Sequence, residues 1–246
     1  WPLAIHVHST DPVLSCLGSQ YAGWSLSFVQ NDDNFSALGS GPCRALAGKE
    51  DIFKDIKYED KFFSTVVILE VDQNPPQQII DKIVDDCDIS EKNLTIILTP
   101  TRSLCGTTQV VGRVLEVGLH KVHELGFPID KVVDGFGSAP LPPPAPDFLI
   151  GMGRTNDAIL YGGLVHLYVD TPNDDAEELA KRLPSSTSND YGKPFADIFK
   201  EYKYDFYQID KMLFSPAKVI VSSLQTGKSY TSGNINLSLM DDSFNK

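Results

Sequence analysis

Two segments of this chain combine residue types that could hold and act on a small molecule. In the first, residues 153–163, glycines flank Arg154, Asn156, Asp157 and Tyr161, which together supply hydrogen-bond donors and acceptors. Polar groups that converge beside apolar side chains are typical of a ligand pocket, and glycines let the backbone approach a ligand closely. A glycine-rich turn, in which Asn and Asp bond only their own backbone, explains the pattern equally well. The run is therefore a candidate ligand-binding segment, with the turn as the open alternative.

The second segment carries a guanidinium and a carboxylate on one face of a predicted helix. Residues 108–125 contain an apolar valine stripe with helical period. Arg113 and Glu116 are three residues apart, so they share a polar face, which His120 and Glu124 continue. A solvated face with an intrahelical ion pair is the alternative. Position favours a site, because the helix follows a predicted strand and α/β proteins bind ligands beyond the carboxyl ends of parallel strands.

Other short motifs are weaker. Residues 39–42, Gly-Ser-Gly-Pro, precede a predicted helix, and their backbone N–H groups could bind an anion or simply form a turn. Thr-Gly-Lys-Ser at 226–229 resembles the end of a phosphate-binding loop, but Ser222 replaces the first glycine and an alternating segment follows. The sequence has no GxSxG nucleophile motif and no GxGxxG dinucleotide motif. Covalent hydrolysis and nicotinamide binding are therefore not indicated.

The first half of the chain predicts alternating strands and helices around these segments. Residues 4–8 alternate as a half-buried strand with His6 and His8 on one face, and a helix is expected from about residue 12 to Gly23. The apolar runs 66–71 and 94–98 flank a helix-like segment, 75–87. This order predicts a parallel pair of strands buried on both faces.

The second half begins at the proline-rich residues 136–146, which predict an extended linker or pocket wall. We therefore expect two α/β domains, residues 1–139 and 140–246. The glycine-rich run is followed by further predicted elements, namely a strand at 165–169, helices at 174–183 and 194–202, and a hairpin within 218–239 around Thr226 and Gly227.

Composition limits the classes of partner. At 246 residues, with 41% hydrophobic and 22% charged residues, the chain has ordinary globular composition. Its 33 acidic and 21 basic residues give a net charge of −12, which disfavours nucleic acid as a partner. The sequence has neither an apolar run of the roughly 20 residues that span a membrane nor a secretory leader pattern. We therefore expect a cytoplasmic protein without a membrane partner.

Cysteine and histidine spacing does not indicate a disulfide or a metal site. The cysteines at 16, 43, 87 and 105 lack CxxC spacing and are expected to be reduced and to pack as small hydrophobic residues. His120, His123 and Glu124 have ligand chemistry, but no second cluster stands at metal-site spacing. The prediction is no metal.

Taken together, the motifs resemble the methenyltetrahydromethanopterin cyclohydrolase family, the one-carbon-carrier enzymes of methanogens and of many methylotrophic bacteria. The resemblance covers nearly the whole chain. The motifs that carry it are Asp-Pro-Val-Leu at 11–14, Gln-Tyr-Ala-Gly-Trp at 20–24, Leu-Gly-Ser-Gly-Pro at 38–42, Pro-Thr at 100–101, Gln-Val-Val-Gly-Arg at 109–113 with Glu116, His-Glu-Leu-Gly-Phe at 123–127, Gly-Phe-Gly-Ser-Ala-Pro at 135–140, the run 153–163, Asp-Tyr-Gly-Lys-Pro-Phe at 190–195, and Asp-Phe-Tyr-Gln-Ile-Asp at 205–210 with 212–217.

The resemblance implies reversible hydrolysis of the cyclic N5,N10-methenyl cation of a tetrahydropterin to the N5-formyl form, without a cofactor. It also implies a mixed α/β (α+β) fold of two α/β domains with the active-site cleft between them, assembled as a homotrimer. The methenyl carbon is an amidinium electrophile, so the reaction needs a base that takes a proton from water. By its match to the family, Glu116 is that base, and Arg113 is the arginine that orients it and binds substrate oxygens.

The resemblance also suggests which residues line the substrate pocket. The expected substrate-binding residues are Tyr21, Ser40, Gly41, Thr101, Ser103, Arg154, Asn156, Asp157 and Tyr161. Three positions depart from the family pattern. Tyr21 replaces a lysine of many archaeal members, as in the bacterial branch, while Cys43 and Arg102 replace small residues. The charge of Arg102 could bind an acidic tail of the substrate or block the site.

Two alternatives to the enzyme stay open. Family members carry roughly another half-domain before the residue that matches Trp1. We expect that this part lies on another chain, lies outside the given sequence, or has been lost. This motivates a structural subunit whose cleft a partner chain closes. The other alternative is a non-catalytic pterin-binding paralogue. The presence of both Arg113 and Glu116 favours the enzyme.

Overall fold

The computed structural model describes residues 1–30 and 33–245 as a mixture of strands and helices. The strands are β1 (Ala4–Ser9), β2 (Trp24–Gln30), β3 (Asp33–Ser40), β4 (Thr65–Leu69), β5 (Leu94–Leu98), β6 (Val132–Pro140), β7 (Leu164–Val169), β8 (Lys218–Ser223) and β9 (Ser229–Gly233). The helices are α1 (Cys43–Ala47), α2 (Ile52–Asp55), α3 (Gln77–Cys87), α4 (Leu104–Val111), α5 (Val114–Glu124), α6 (Phe148–Leu160), α7 (Asn173–Arg182), α8 (Phe195–Glu201) and α9 (Leu237–Phe244). The predicted α+β class is confirmed.

The chain divides into two compact units, and one of them is discontinuous. The first unit comprises Trp1–Val13 together with Arg102–Lys246, and the second unit comprises Leu14–Thr101. The predicted boundary between residues 139 and 140 falls at the end of β6, inside the first unit.

The second unit contains a four-stranded sheet in the order β2-β3-β4-β5. β4 and β5 are parallel and α3 connects them, as the sequence predicts. The predicted burial of residues 94–98 on both faces is wrong, because β5 is an edge strand whose Thr95 and Ile97 are exposed. The core of the unit lies between the sheet and its helices, where Leu26, Val67 and Ile83 are fully buried.

The first unit contains a five-stranded sheet in the order β1-β6-β7-β8-β9. The predicted strands at 4–8 and 165–169, the helices at 174–183 and 194–202, and the hairpin around 226–227 are confirmed. The hairpin ends at Gly233, however, and α9 follows it. The prediction of a linker over 136–146 is half wrong, because 136–140 belong to β6, which lies between β1 and β7. Proline begins only at Pro140, so it does not interrupt the ladder.

Two helix predictions also fail. The helix expected from residue 12 to Gly23 is reduced to a short helical turn at Val13–Leu17. The carbonyl groups of Leu17 and Gly18 accept hydrogen bonds from the Arg44 guanidinium, both at 3.0 Å, instead of continuing a helix. The single helix expected over 108–125 is two helices, α4 and α5.

Among the described residues, no helix combines the length and the apolar character that crossing a bilayer requires. Of the cysteines, Cys16, Cys43 and Cys87 are buried as predicted, whereas Cys105 is exposed.

Candidate active site

The two helices that carry the candidate catalytic residues meet at a sharp break. Ser103 begins α4 as its N-cap, and its Oγ accepts a hydrogen bond from the Gly106 N–H at 2.9 Å. α4 ends at Gly112, a residue of low helix propensity. Arg113 then has φ −83° and ψ 5°, outside the helical range, and α5 begins after it. The break therefore creates a new helix N-terminus inside the motif Gln-Val-Val-Gly-Arg.

Glu116 lies in the first turn of α5 and is only 2% exposed. The unpaired N–H groups at a helix N-terminus favour a negative charge, so this position suits an ionised carboxylate. Close packing on β6 fixes the same turn. A Cβ on Gly137 would lie 2.9 Å from Val114 Cγ1, and one on Gly135 would lie 2.9 Å from Leu115 Cδ1. Only glycine at these strand positions lets the start of α5 approach the sheet so closely.

Arg113 is held from the preceding helix. Its Nη2 donates a hydrogen bond to Oε1 of Gln109 in the last turn of α4, at 2.7 Å. The guanidinium is half-buried and is positioned by its neighbour, which reduces the entropy lost when it binds a ligand. The α4–α5 junction, which we define as Gln109, Arg113 and Glu116, thus brings an amide, a guanidinium and a buried carboxylate into consecutive helical turns.

Beyond Glu116, α5 is built for packing. His120 and Glu124 form the expected i,i+4 pair, with Nε2 and Oε1 3.8 Å apart. Burial lowers the pKa of His120. Lys121 is fully buried, and its Nζ donates to the Pro184 carbonyl at 2.7 Å, the Thr187 hydroxyl at 2.8 Å and the Met212 carbonyl at 2.7 Å.

Burial also shifts the pKa of Lys121. Burial lowers the pKa of the Lys121 ammonium to about 7, against the opposing attraction of Asp210. This lysine could not be singled out from the sequence, because a lysine in a helical segment is ordinarily exposed.

Most of the run 153–163 belongs to helix α6, so the glycine-rich turn, the alternative interpretation, is wrong. Nη1 of Arg154 donates to the carbonyls of Pro143 and Pro144, at 3.2 and 2.9 Å, and so holds the proline-rich segment. Nδ2 of Asn156 donates to the Met152 carbonyl one turn earlier, at 2.9 Å. These two side chains therefore bond to the protein's own backbone.

Asp157 and Tyr161, further along the same segment, are completely buried. Oδ1 of Asp157 accepts a hydrogen bond from the Phe195 N–H at 2.9 Å, at the start of α8. The Tyr161 hydroxyl donates to the Lys193 carbonyl and accepts from the Gly192 N–H at 3.4 Å. Burial raises the pKa of Tyr161. Both side chains thus tie the segment before α8 to α6.

In the second unit, Ser40 and Gly41 end β3 and are buried. Gly41 has φ +104°, a conformation that side chains rarely allow, and a Cβ there would lie 2.7 Å from the Val66 carbonyl. Its N–H donates to the Ser19 carbonyl at 2.7 Å. α1, which follows, has only five residues, and we assign no anion site to its start.

Arg44 is one of the residues of the second unit that sequence reasoning missed. Its side chain is fully buried and forms a bidentate pair with Glu50, with Nε–Oε2 and Nη2–Oε1 distances of 2.7 Å. The guanidinium carbon also lies 5.2 Å from the ring centroid of Tyr21. Since Arg44 also binds the carbonyls of residues 17 and 18, it holds the loop that carries Tyr21.

Thr101 follows the parallel pair β4 and β5. Its hydroxyl donates to Oε1 of Glu70 at 2.7 Å, and Glu70 directly follows β4. The carboxyl ends of the two strands thus carry a paired hydroxyl and carboxylate, as expected of a parallel pair. Glu70 was not singled out in the sequence, although its position after an apolar run was a usable signal.

Within the first unit, the structure brings Arg113 and Gln109 into contact. In the second unit, Gly41 bonds to Ser19 and Arg44 lies near the Tyr21 ring, so both hold the loop that carries Tyr21.

A surface groove of about 440 Å³ on the first unit, around Gly126 and Pro172, contains none of the predicted site residues. Chemically, a buried carboxylate can accept a proton from water, and a guanidinium can donate hydrogen bonds to a polar heterocycle.

Comparisons with known proteins show the family to which the chain is related. A family profile described as "Cyclohydrolase (MCH)" matches residues 1–244. The chain is 58% identical over 244 residues to a protein of Methylobacillus flagellatus named methenyltetrahydromethanopterin cyclohydrolase, with 99% of this chain and 73% of the relative covered. Proteins of the same name from Methylobacterium organophilum and Methylosinus trichosporium are each 52% identical over 99% of this chain, which corresponds to 75% and 92% of their own lengths.

Proposed function

The chain belongs to the cyclohydrolase (MCH) family, and from this premise we propose that it hydrolyses N5,N10-methenyltetrahydromethanopterin to N5-formyltetrahydromethanopterin, reversibly, in one-carbon metabolism. The observation that carries the proposal is Glu116, buried in the first turn of a helix three residues after Arg113, within a motif that also marks the family resemblance.

In the proposed mechanism, Glu116 accepts a proton from water as the water oxygen bonds to the cationic methenyl carbon. The bond from this carbon to N10 then breaks, and N10 takes a proton while the carbon keeps its bond to N5 as a formyl group. Of the two protons of the water, one therefore ends on N10 and the other is released to solvent. No electron transfer occurs, so the reaction as proposed requires no redox cofactor.

The charge of the substrate sets a condition on Glu116. A carboxylate near a cation stabilises the bound ground state as well as the transition state, and equal stabilisation gives no increase in kcat. Glu116 must therefore interact better with the attacking water than with the resting cation. Arg113 supports this by keeping the carboxylate ionised and oriented, while its donors bind substrate oxygens.

The remaining predicted substrate contacts stay predictions. For Ser40, Gly41 and Thr101, the support is their burial at the ends of β3 and β5, and for Tyr21 it is the anchored loop. For Arg154, Asn156, Asp157 and Tyr161, the hydrogen bonds within the first unit favour a structural role. A homotrimer, which the resemblance implies, and a cytoplasmic location accompany the proposal.

The proposal is tested by following the loss of methenyl absorbance with the wild type, Glu116→Gln and Arg113→Ala. We expect Glu116→Gln to bind the substrate but to turn it over roughly 10²- to 10⁴-fold more slowly, because the water loses its proton acceptor. Arg113→Ala should both bind more weakly and turn over more slowly. Glu124→Gln, which changes an exposed carboxylate on the same helix, is the matched control and should keep wild-type rates.

Two outcomes contradict parts of the proposal. Normal turnover in Glu116→Gln removes Glu116 as the base. Binding without any hydrolysis by the wild type replaces the enzyme with a non-catalytic pterin-binding protein.

A further inference from the structure

The orientation of the Gln109 side-chain amide is fixed by its neighbour. An amide has an oxygen that accepts and a nitrogen that donates, and the two ends are otherwise interchangeable in position. Arg113 can only donate hydrogen bonds, so the end of Gln109 that faces it must be the oxygen, as observed at 2.7 Å. The two N–H groups of Gln109 must therefore point away from the guanidinium.

Those two N–H groups find no acceptor among the residues that the structure describes. Nε2 of Gln109 is buried and has no hydrogen-bond partner within residues 1–30 and 33–245. A buried donor without an acceptor costs about 1–3 kcal/mol, and native proteins rarely leave one without a reason. This donor belongs to the residue that holds the active-site arginine, so an acceptor supplied by a ligand is the simplest reason for its presence.

We propose that Gln109 is a substrate-binding residue whose Nε2 donates a hydrogen bond to an acceptor atom of the pterin ring, while its Oε1 positions Arg113. The inference rests on the proposed function, because it assigns the ligand of the α4–α5 junction to a pterin. The ring system carries an oxo group and unprotonated ring nitrogens, which accept hydrogen bonds. The amide and the guanidinium together present a row of donors to such an edge.

The attacking water is a less suitable acceptor. Its oxygen must direct a lone pair at the methenyl carbon, and a hydrogen bond donated to that oxygen withdraws electron density from the nucleophile. A proton acceptor such as Glu116 has the opposite effect and activates the water. The donor of Gln109 therefore fits the heterocycle, and its contribution should appear in binding rather than in the chemical step.

The substitution Gln109→Glu separates the two roles of the side chain. It keeps an oxygen for Arg113 and replaces only the N–H donors by a second oxygen. The binding probe is tetrahydromethanopterin without the methenyl carbon, because its uncharged ring excludes a Coulomb attraction to the new carboxylate. We expect its Kd to rise roughly ten- to hundred-fold, as for a hydrogen bond lost in a buried site.

A second variant and a matched control complete the test. Gln109→Met leaves no unpaired buried oxygen and removes both contacts, so binding and kcat should both decline. Gln77→Glu makes the same chemical change on the exposed surface of α3 and should alter neither value. Thermal melting establishes that each variant is folded.

The outcomes distinguish this inference from the function on which it rests. If the wild type fails to hydrolyse the methenyl substrate, the proposed function fails. If the wild type is active and folded Gln109→Glu binds the probe as the wild type does, only the role of Gln109 fails. A large loss of kcat with unchanged binding also overturns it, since the amide would then act on the water.

Discussion

Helix α6 and the α4–α5 junction carry the same kinds of polar side chain but use them differently. In α6, Asp157 accepts the Phe195 N–H and Asn156 donates to the backbone one turn earlier. At the junction, a carboxylate is buried at a helix N-terminus and the Gln109 amide keeps two buried donors without an acceptor in the described chain. The comparison teaches that residue type alone does not mark a site. The bonds that each side chain already makes to the rest of the protein are the more informative sign.

Lys121 lies five residues after Glu116 in α5, and its Nζ, unlike Nε2 of Gln109, has acceptors among the described residues. The lowered pKa of Lys121 means that the folded protein releases this proton above about pH 7, whereas the unfolded chain keeps it to about 10.5. The unfolded state therefore binds more protons in this window, and stability should rise with pH by up to about 1.4 kcal/mol per unit. Urea unfolding of wild type and Lys121→Met at pH 7 and 9.5 measures the difference. An identical pH dependence in both proteins would contradict the assignment.

Asp157 tests whether the polar side chains of α6 serve the fold alone. Asp157→Ala removes the acceptor at the start of α8 and should lower the free energy of unfolding by about 2 kcal/mol. Asp157→Asn keeps an oxygen in place and should lose less. Because Oδ1 already serves Phe195, we expect KM measured well below the melting temperature to stay within about threefold of wild type. A strongly raised KM would mean that α6 also contacts the substrate, so that α6 and the α4–α5 junction would not differ in role.

The smallest effect concerns the Tyr161 hydroxyl. Tyr161→Phe keeps the buried ring against Tyr191 and removes only the hydrogen bonds to residues 192 and 193. The unfolding free energy should decline by about 1 kcal/mol, measured by denaturant titration, with kcat and KM unchanged. Loss of activity without loss of stability would indicate that the Tyr161 hydroxyl contacts the substrate.

Much of the fold could be predicted because periodicity reports burial directly. The strands at 4–8 and 165–169 and the unit β4-α3-β5 have clear periods of two or short apolar runs. The failures arise where a long-range contact overrides a local pattern. Residues 12–23 have a helical pattern, but the Arg44 guanidinium donates hydrogen bonds to two of their carbonyl groups. The local sequence does not indicate a partner that lies so far along the chain.

The resemblance names Arg113 and Glu116 as the catalytic pair, which stays a prediction, but it did not predict the structure around them. Arg113 and Glu116 share a motif, yet periodicity placed them in one continuous helix, and the low helix propensity of Gly112 was the available sign of a break. Glycines at 153, 162 and 163 suggested a loop, whereas Gly153 permits close packing of α6 on Ala196, where a Cβ would lie 2.9 Å away. Composition could not distinguish packing from flexibility at these positions.

The pairing of β1 with β6 has a consequence for synthesis on the ribosome. Ala4 pairs with Pro140, and all of the second unit lies between the two strands in the sequence. β1 therefore leaves the exit tunnel long before its partner exists, whereas every strand of the second unit finds its neighbours within Leu14–Thr101. In ribosome-bound chains, we therefore expect the second unit to become protected from proteases first. β1 should stay unpaired until residues 132–140 emerge.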